Sequence, residues 1–299
     1  MRAAVLVTIV AALVGLPAGV RAAPPPPADR AVVDDLGREV ALPATPRRIV
    51  SLAPNLTEIV FALGAGDRLV GVTDFCDYPA ETARIARVGG VTSPSAERVL
   101  SLRPDLVLAT TVGNGPDEVL ALARLGLPVV VSDPRDLAGV ARSFELVARA
   151  AGVPDRGSAL ASEFRGRIEA VRRRVAGRPR PRTLVLVWPD PIVAAGPSSF
   201  VASLLGVAGG TNALAAHATP LTGQYPTLGI ESIVALAPEV IVLAAHPGTT
   251  VDSLARLKRY GQLPAVRDGR LATIDQALLV RPGPRLALAA EALAKVLHP

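Results

Sequence analysis

The chain has 299 residues and a formal charge of +6; half of it is apolar but only 3% is aromatic, so any core is built from Ala, Val and Leu and could serve two modest domains or one large one. The positive charge is almost all arginine and no basic run is interleaved with aromatic residues, which argues against a nucleic-acid partner. The lone Cys76 excludes an internal disulfide, and His217, His246 and His298 are scattered without metal-ligand spacing, so no metal site is expected.

In chain order, residues 1–22 read as a cleaved secretory signal peptide. Arg2 precedes an apolar run, and Val20-Arg21-Ala22 offers small residues at the two positions a signal peptidase reads. No cysteine lies near that cut, so no lipid is expected there, and the mature chain is expected to start near Ala23 as a soluble periplasmic monomer. Residues 23–45 form an N-terminal extension: a stiff Pro24–Pro27 run, then a short hairpin turning around Asp35-Leu36-Gly37. Beyond it the sequence divides into an α/β lobe over 46–135, connecting helices over 136–181 and a second α/β lobe over 182–299.

The division rests on an internal repeat. SAERVLSLRPDLVLA (95–109) and GIESIVALAPEVIVL (229–243) align at an offset of 134 positions. Each copy reads as a short helix ended by proline and followed by an apolar strand buried on both faces. The offset holds upstream, where RIVSLAP (48–54) and RTLVLVWP (182–189) read as strands, and drifts downstream between VVVSD and RLATID. Strand, helix, helix, strand, helix, strand in the same order twice predicts two similar α/β lobes. Between them, Asp136 caps one helix that Gly152 ends, and residues 154–175 form a long amphipathic helix with Leu160, Phe164, Ile168, Val171 and Val175 on one stripe. A helix of that length spans about 30 Å and makes a rigid joint rather than a hinge.

A ligand is then expected in the cleft between the lobes, at loops that follow sheet strands. Asn55 and Glu58 are spaced as a capping box, which assigns Glu58 to structure. The loop VGVTDFCDYP places Phe75, Cys76 and Tyr78 where a strand gives way; Cys76 reads either as a small buried hydrophobe or as a soft contact to a ligand. Trp188 ends a strand of the second lobe, Tyr225 precedes the repeated helix, and Ser198 reads as the cap of the helix that carries Phe200. Arg281 and Arg285 flank a Pro-Gly-Pro turn, suited either to an anionic ligand group or to surface salt bridges. Glu97 and Glu231 hold equivalent places in the first turns of the repeated helices. A carboxylate there complements the helix dipole; one carboxylate per lobe also suits a partner with two equivalent subunits.

Together SLAPNLTE, VGVTDFCDYP, VGGVTSPSAERVLSLRPDLVLA, AGGTN and RPGPR resemble the periplasmic binding proteins of ABC importers for cobalamin, haem and ferric siderophores, with VGVTDFCDYP most like the cobalamin-binding branch. The resemblance covers about residues 46–297. It implies the helical-backbone (class III) fold and a receptor rather than an enzyme, with no cofactor of its own. The transported ligand would be a metal chelate, cobalamin or a related corrinoid, with haem or a ferric siderophore as the alternative. It further implies that Phe75, Trp188 and Tyr225 line the corrin site and that Glu97 and Glu231 dock onto arginines of a two-fold pair of transmembrane subunits. Two cleft positions that are Trp in some cobalamin binders fall near Val91-Thr92 and Thr110-Thr111 here. Outside this class stand an exported thiol enzyme using Cys76, which would need a base from across the cleft, and a structural envelope protein.

Overall fold

A computed structural model of the chain describes residues 29–216, 223–246, 255 and 257–299. The signal peptide, the proline run and His217 lie outside those residues. An antiparallel hairpin comes first, β1 (Arg30–Val33) against β2 (Glu39–Leu42), with Gly37 at φ +75° in the turn. The buried carboxylate of Asp34 closes that turn, accepting from the Leu36 and Arg38 amides and pairing with the Arg38 guanidinium.

The first lobe is a parallel five-stranded sheet in the order β5-β4-β3-β6-β7. Its strands are β3 (Ile49–Ser51), β4 (Leu69–Val72), β5 (Ala86–Arg87), β6 (Leu106–Thr110) and β7 (Val129–Ser132). Its helices are α1 (Pro54–Ala62), α2 (Ala96–Ser101) and α3 (Pro116–Arg124). The joint is α4 (Leu137–Ala151), capped by the Asp136 carboxylate and ended by Gly152 in the left-handed region, followed by α5 (Pro154–Arg174). In the second lobe β8 (Arg182–Pro189), β10 (Thr211–Asn212), β11 (Val240–Ala245) and β12 (Leu271–Asp275) run parallel, and β9 (Ile192–Ala194) folds back antiparallel on β8. Helices α6 (Phe200–Val207), α7 (Ile230–Leu236), α8 (Pro264–Arg267), α9 (Gln276–Leu279) and α10 (Leu286–Leu297) pack with it.

The repeat is a repeat of geometry. Ile49 pairs with Leu106 in the first sheet, and Thr183 pairs with Val240, each 134 positions later, in the second. The Arg48 guanidinium donates to the Leu102 carbonyl and the Arg182 guanidinium to the Leu236 carbonyl. Asp105 accepts from the Arg48 amide at 2.8 Å, and Glu239 from the Arg182 amide at 2.7 Å. Even the backbone kink recurs: Arg103 (φ +45°) and Ala237 (φ +41°) are the non-glycine residues with positive φ among the described ones. The halves diverge where β8 turns back into β9, a hairpin that apolar periodicity did not reveal because the strand is three residues long.

Alternation along each strand sorts side chains into separate cores. Val50, Val107 and Val129 pack outward with Val99 of α2 and Leu122 of α3. Leu184, Ile241 and Leu243 do the same in the second lobe with Ile233 and Leu236 of α7. The inward faces, Ile49, Leu106 and Val130 from one sheet and Val185, Val240 and Val242 from the other, join a single layer filled by α1, α4, α5, α6 and α10. That shared layer makes the joint stiff, because interiors packed at crystal density do not deform continuously. Phe144 meets Phe164 edge to face at 5.4 Å. A Cβ on Gly157 would stand 2.3 Å from the Ala148 Cβ, so α4 and α5 touch only because glycine is there. Near its start α5 reaches the first lobe through Arg156 to the Leu63 carbonyl; further along, Arg167 pairs with Glu291 in the second.

Two local expectations are corrected. The Asn55–Glu58 capping box does not form: Ala53 is the N-cap, Pro54 begins α1, and no side chain caps it. Glu58 is instead drawn into ion pairs with the second lobe, which outweigh a local hydrogen bond. The cap of α6 is Ser199, accepting from the Ala202 amide, rather than Ser198.

Candidate ligand-binding site

In a parallel α/β sheet the loops at the C-terminal ends of the strands converge on one edge, where ligands bind. The loop after β4 is anchored from beneath. The Cys76 sulfur is fully buried, 3.2 Å from the Thr57 and Thr73 hydroxyls, and Thr57 also donates to Ser51. Arg87 donates Nη1 to the carbonyls of Thr73 and Cys76. With the loop held this way, Phe75 and Tyr78 face outward, 61% and 47% exposed. Cys76 therefore does not line the cleft, a correction to its reading as a ligand contact: the small, weakly polar thiol fills a hydroxyl-lined hole in the core.

A second aromatic platform stands at the ends of β8 and β11. Trp188 is 47% exposed, yet its orientation is set by Nε1 donating to the Asp190 carbonyl at 3.0 Å and by His246 packed edge-on at 4.4 Å. Exposed rings held in place by polar contacts are costly surface unless something covers them. Tyr225 is more enclosed, edge-on to Phe200 at 6.4 Å, and burial pushes its phenol up, so it is a neutral hydrogen-bonding group at any working pH. It lines an inter-lobe cavity of about 290 Å³ together with Gln224 on one side and Thr111, Val112, Gly113, Asp133 and Arg135 on the other. Asp133 accepts from the Thr111 hydroxyl at 2.5 Å and from Arg135 Nε at 2.6 Å. Asn114, a residue without a sequence signal, ties the neighbouring loops by donating to the Leu52 and Val91 carbonyls and accepting from the Thr110 amide.

The turn RPGPR reaches across the lobes. Arg285 gives Nε and Nη2 to the Glu58 carboxylate at 2.9 and 2.6 Å while its guanidinium lies 3.9 Å over the Tyr78 ring. Arg281 chelates Asp77 through Nη1 at 2.5 Å and Nη2 at 3.1 Å and reaches Glu58 at 3.3 Å and the Phe75 carbonyl at 3.4 Å. The hydrogen bond from Arg281 holds the Asp77 carboxyl below its ordinary value, and the bond to Glu58 raises the Arg285 guanidinium further. Arg281, expected from the sequence as a ligand contact, thus spends these donors inside the protein. The sequence missed Glu58, Asp77 and Arg285 as one network because they meet only through the tertiary fold.

The candidate residues therefore fall into groups: Phe75, Tyr78 and Arg281 with the inter-lobe network, Trp188 with His246, and Tyr225 on the cavity. Glu97 and Glu231 stand apart, both exposed in the first turns of α2 and α7 and without an ion-pair partner among the described residues. Helices of a parallel α/β unit start at the strands' C-terminal edge, so both carboxylates lie on the rim of the edge that carries the cleft.

A family model for periplasmic binding proteins matches residues 49–278. The chain belongs to the periplasmic binding protein family. A vitamin B12-binding protein of Vibrio cholerae serotype O1 is 30% identical over 246 residues, 82% of this chain and 87% of that one. The solved structure of the periplasmic vitamin B12 binding protein BtuF of Vibrio cholerae superimposes with a TM-score of 0.75 at 29% identity, covering 84% of this chain and 96% of that chain. The periplasmic heme-binding protein RhuT from Roseiflexus sp. RS-1 superimposes with a TM-score of 0.74 at 30% identity, covering 84% and 98%. This periplasmic binding protein thus has the class III architecture of two α/β lobes on a helical backbone, and its relatives are named for binding rather than catalysis. Membership of the family places its work outside the cytoplasm.

Proposed function

We propose that this protein captures cobalamin or a related corrinoid between its lobes and delivers it to the transmembrane subunits of an ABC importer. The observation that carries this reading is the pair of outward-facing aromatic platforms, Phe75 with Tyr78 and Trp188 with His246, at the ligand edge of the two lobes. Flat rings held apart on a stiff frame suit a large flat macrocycle, and similarity to proteins named for vitamin B12 supports the same ligand. Haem is the second reading, favoured by similarity to the RhuT structure. Glu97 and Glu231, one per lobe and equivalent in the repeat, are proposed to dock onto a two-fold pair of transmembrane subunits, as charge-assisted pairs to arginine. Residues 1–22 are proposed to direct export and to be cleaved, leaving a monomer made of the lobes 46–135 and 182–299 and the joint 136–181. Titration of the mature chain with cobalamin, cobinamide, haemin and ferric siderophores, followed by visible spectra, tests the ligand. Micromolar or tighter binding of a corrinoid is expected; tight binding of haemin or a siderophore with no corrinoid binding would overturn it.

A further inference from the structure

Among the described residues, the arginines around the candidate cleft already have partners within the protein. Arg281 is held by Asp77 and Glu58, Arg285 by Glu58, and Arg135 on the inter-lobe cavity by Asp133. Arg87, beneath the aromatic loop, spends its donors on the carbonyls of Thr73, Cys76 and Thr82. A further carboxylate, Asp74, is exposed in the loop that carries Phe75. So a chain of formal charge +6 turns a charge-paired, carboxylate-rich edge towards its ligand.

Resting on the corrinoid reading, we infer that this cleft selects chelates by the charge of their periphery, accepting uncharged amide side chains and rejecting carboxylates. A ligand carboxylate arriving here meets carboxylates at close range, an arrangement that like-charge repulsion penalises. To find a cation it must pull an arginine from its partner. For Arg285 that would leave the buried carboxylate of Glu58, which is 4% exposed, with only the longer 3.3 Å contact to Arg281. A primary amide has the opposite fit. Its N–H groups donate to the lone pairs that Asp77 and Asp133 retain, and its oxygen accepts from the Tyr225 hydroxyl or the Gln224 amide. The same geometry that denies a salt bridge to a haem propionate therefore satisfies an amidated corrin. Selection of this kind works by unfavourable contacts for the wrong ligand as much as by favourable ones for the right one.

The test compares cobinamide, whose periphery is amidated, with cobyrinic acid, which carries carboxylates in its place, by calorimetric titration of the mature chain at neutral pH. Haemin and an uncharged ferric hydroxamate are run beside them. Cobinamide should bind at least about ten-fold more tightly than cobyrinic acid. In Asp133→Asn, which unpairs Arg135, the ratio of the two dissociation constants should move about ten-fold towards the carboxylate form. Equal binding of the two corrinoids, or a ratio that Asp133→Asn leaves unmoved, overturns the inference while the corrinoid reading stands. Tight binding of the uncharged hydroxamate with neither corrinoid bound would overturn the corrinoid reading and support selection by charge. Tight binding of haemin alone would overturn both.

Discussion

Arg285 and Glu58, 227 positions apart, form a two-point ion pair that fastens the last turn of the second lobe onto the first helix of the first lobe. The pair lies over Tyr78, so the aromatic loop, the helix and the turn share one electrostatic lock. Glu58→Gln would leave two guanidiniums facing a neutral amide in a largely enclosed place, and is expected to destabilise the fold by about 3 kcal/mol. Arg285→Lys keeps the charge but loses the fork and the stack on Tyr78, and should cost less, about 1–2 kcal/mol. Denaturant unfolding of both variants checks the order; equal stability of Glu58→Gln and the parent would show that the lock contributes nothing.

Acid should weaken the neighbouring pair in a defined window. The Asp77 carboxyl is held below its ordinary value by Arg281, so its contribution is fully present above the unfolded carboxylate range near pH 4 and is lost as pH falls through its lower folded value. Between pH 5 and 8 this pair should leave stability flat. Asp77→Asn should reduce the steepness of acid unfolding below about pH 4, measured by circular dichroism across a pH series. An Asp77→Asn variant that instead changed the slope between pH 6 and 8 would contradict the assignment.

The aromatic platforms make a binding prediction. Trp188→Ala or Tyr225→Ala should weaken corrinoid binding by about 1–3 kcal/mol, the scale of a lost aromatic anchor. Cys76→Ser should have little effect on affinity, since the sulfur is sealed from the cleft. Calorimetry on the three variants separates the cases, and unchanged affinity in both aromatic variants would mean that the ligand sits elsewhere.

The repeated backbone kink offers a prediction on stability alone. Arg103 and Ala237 occupy the left-handed region, which costs a residue with a Cβ about 1–2 kcal/mol. Glycine removes that strain at an entropic cost of about 0.5–1 kcal/mol. Ala237→Gly and Arg103→Gly should each stabilise the protein by about 0.5 kcal/mol, and because the sites lie in different lobes the gains should add. Thermal unfolding midpoints that fall in both variants would refute the strain argument.

Glu97 and Glu231 provide the test of docking. Charge reversal to Arg at either position should leave ligand affinity intact and reduce uptake and complex formation with the importer, because like charges would then face each other. Double reversal should be worse than either single change. Variants that lost ligand binding but still formed the complex would assign both residues to the cleft instead.

The sequence by itself determined the pieces that local chemistry controls. Apolar strands, the Asp136 cap, the Gly152 stop and the long stripe from Leu160 to Val171 were legible because each depends on neighbours three or four positions away. The repeat at 134 positions was legible too, and the structure gives it a shared register at Ile49–Leu106 and Thr183–Val240. What only the tertiary structure decided is which side chains meet across the lobes. Asn55 and Glu58 have the spacing of a capping box, and nothing nearby in sequence says that two arginines more than two hundred positions away will claim the carboxylate. Cys76 likewise shares a loop with Phe75 and Tyr78, and only the packing of Ser51, Thr57 and Thr73 around its sulfur turns it inward while the rings turn out. Local pattern encodes elements because their hydrogen bonds are short-range; the site is assembled by long-range burial and charge pairing, which no window of the sequence contains.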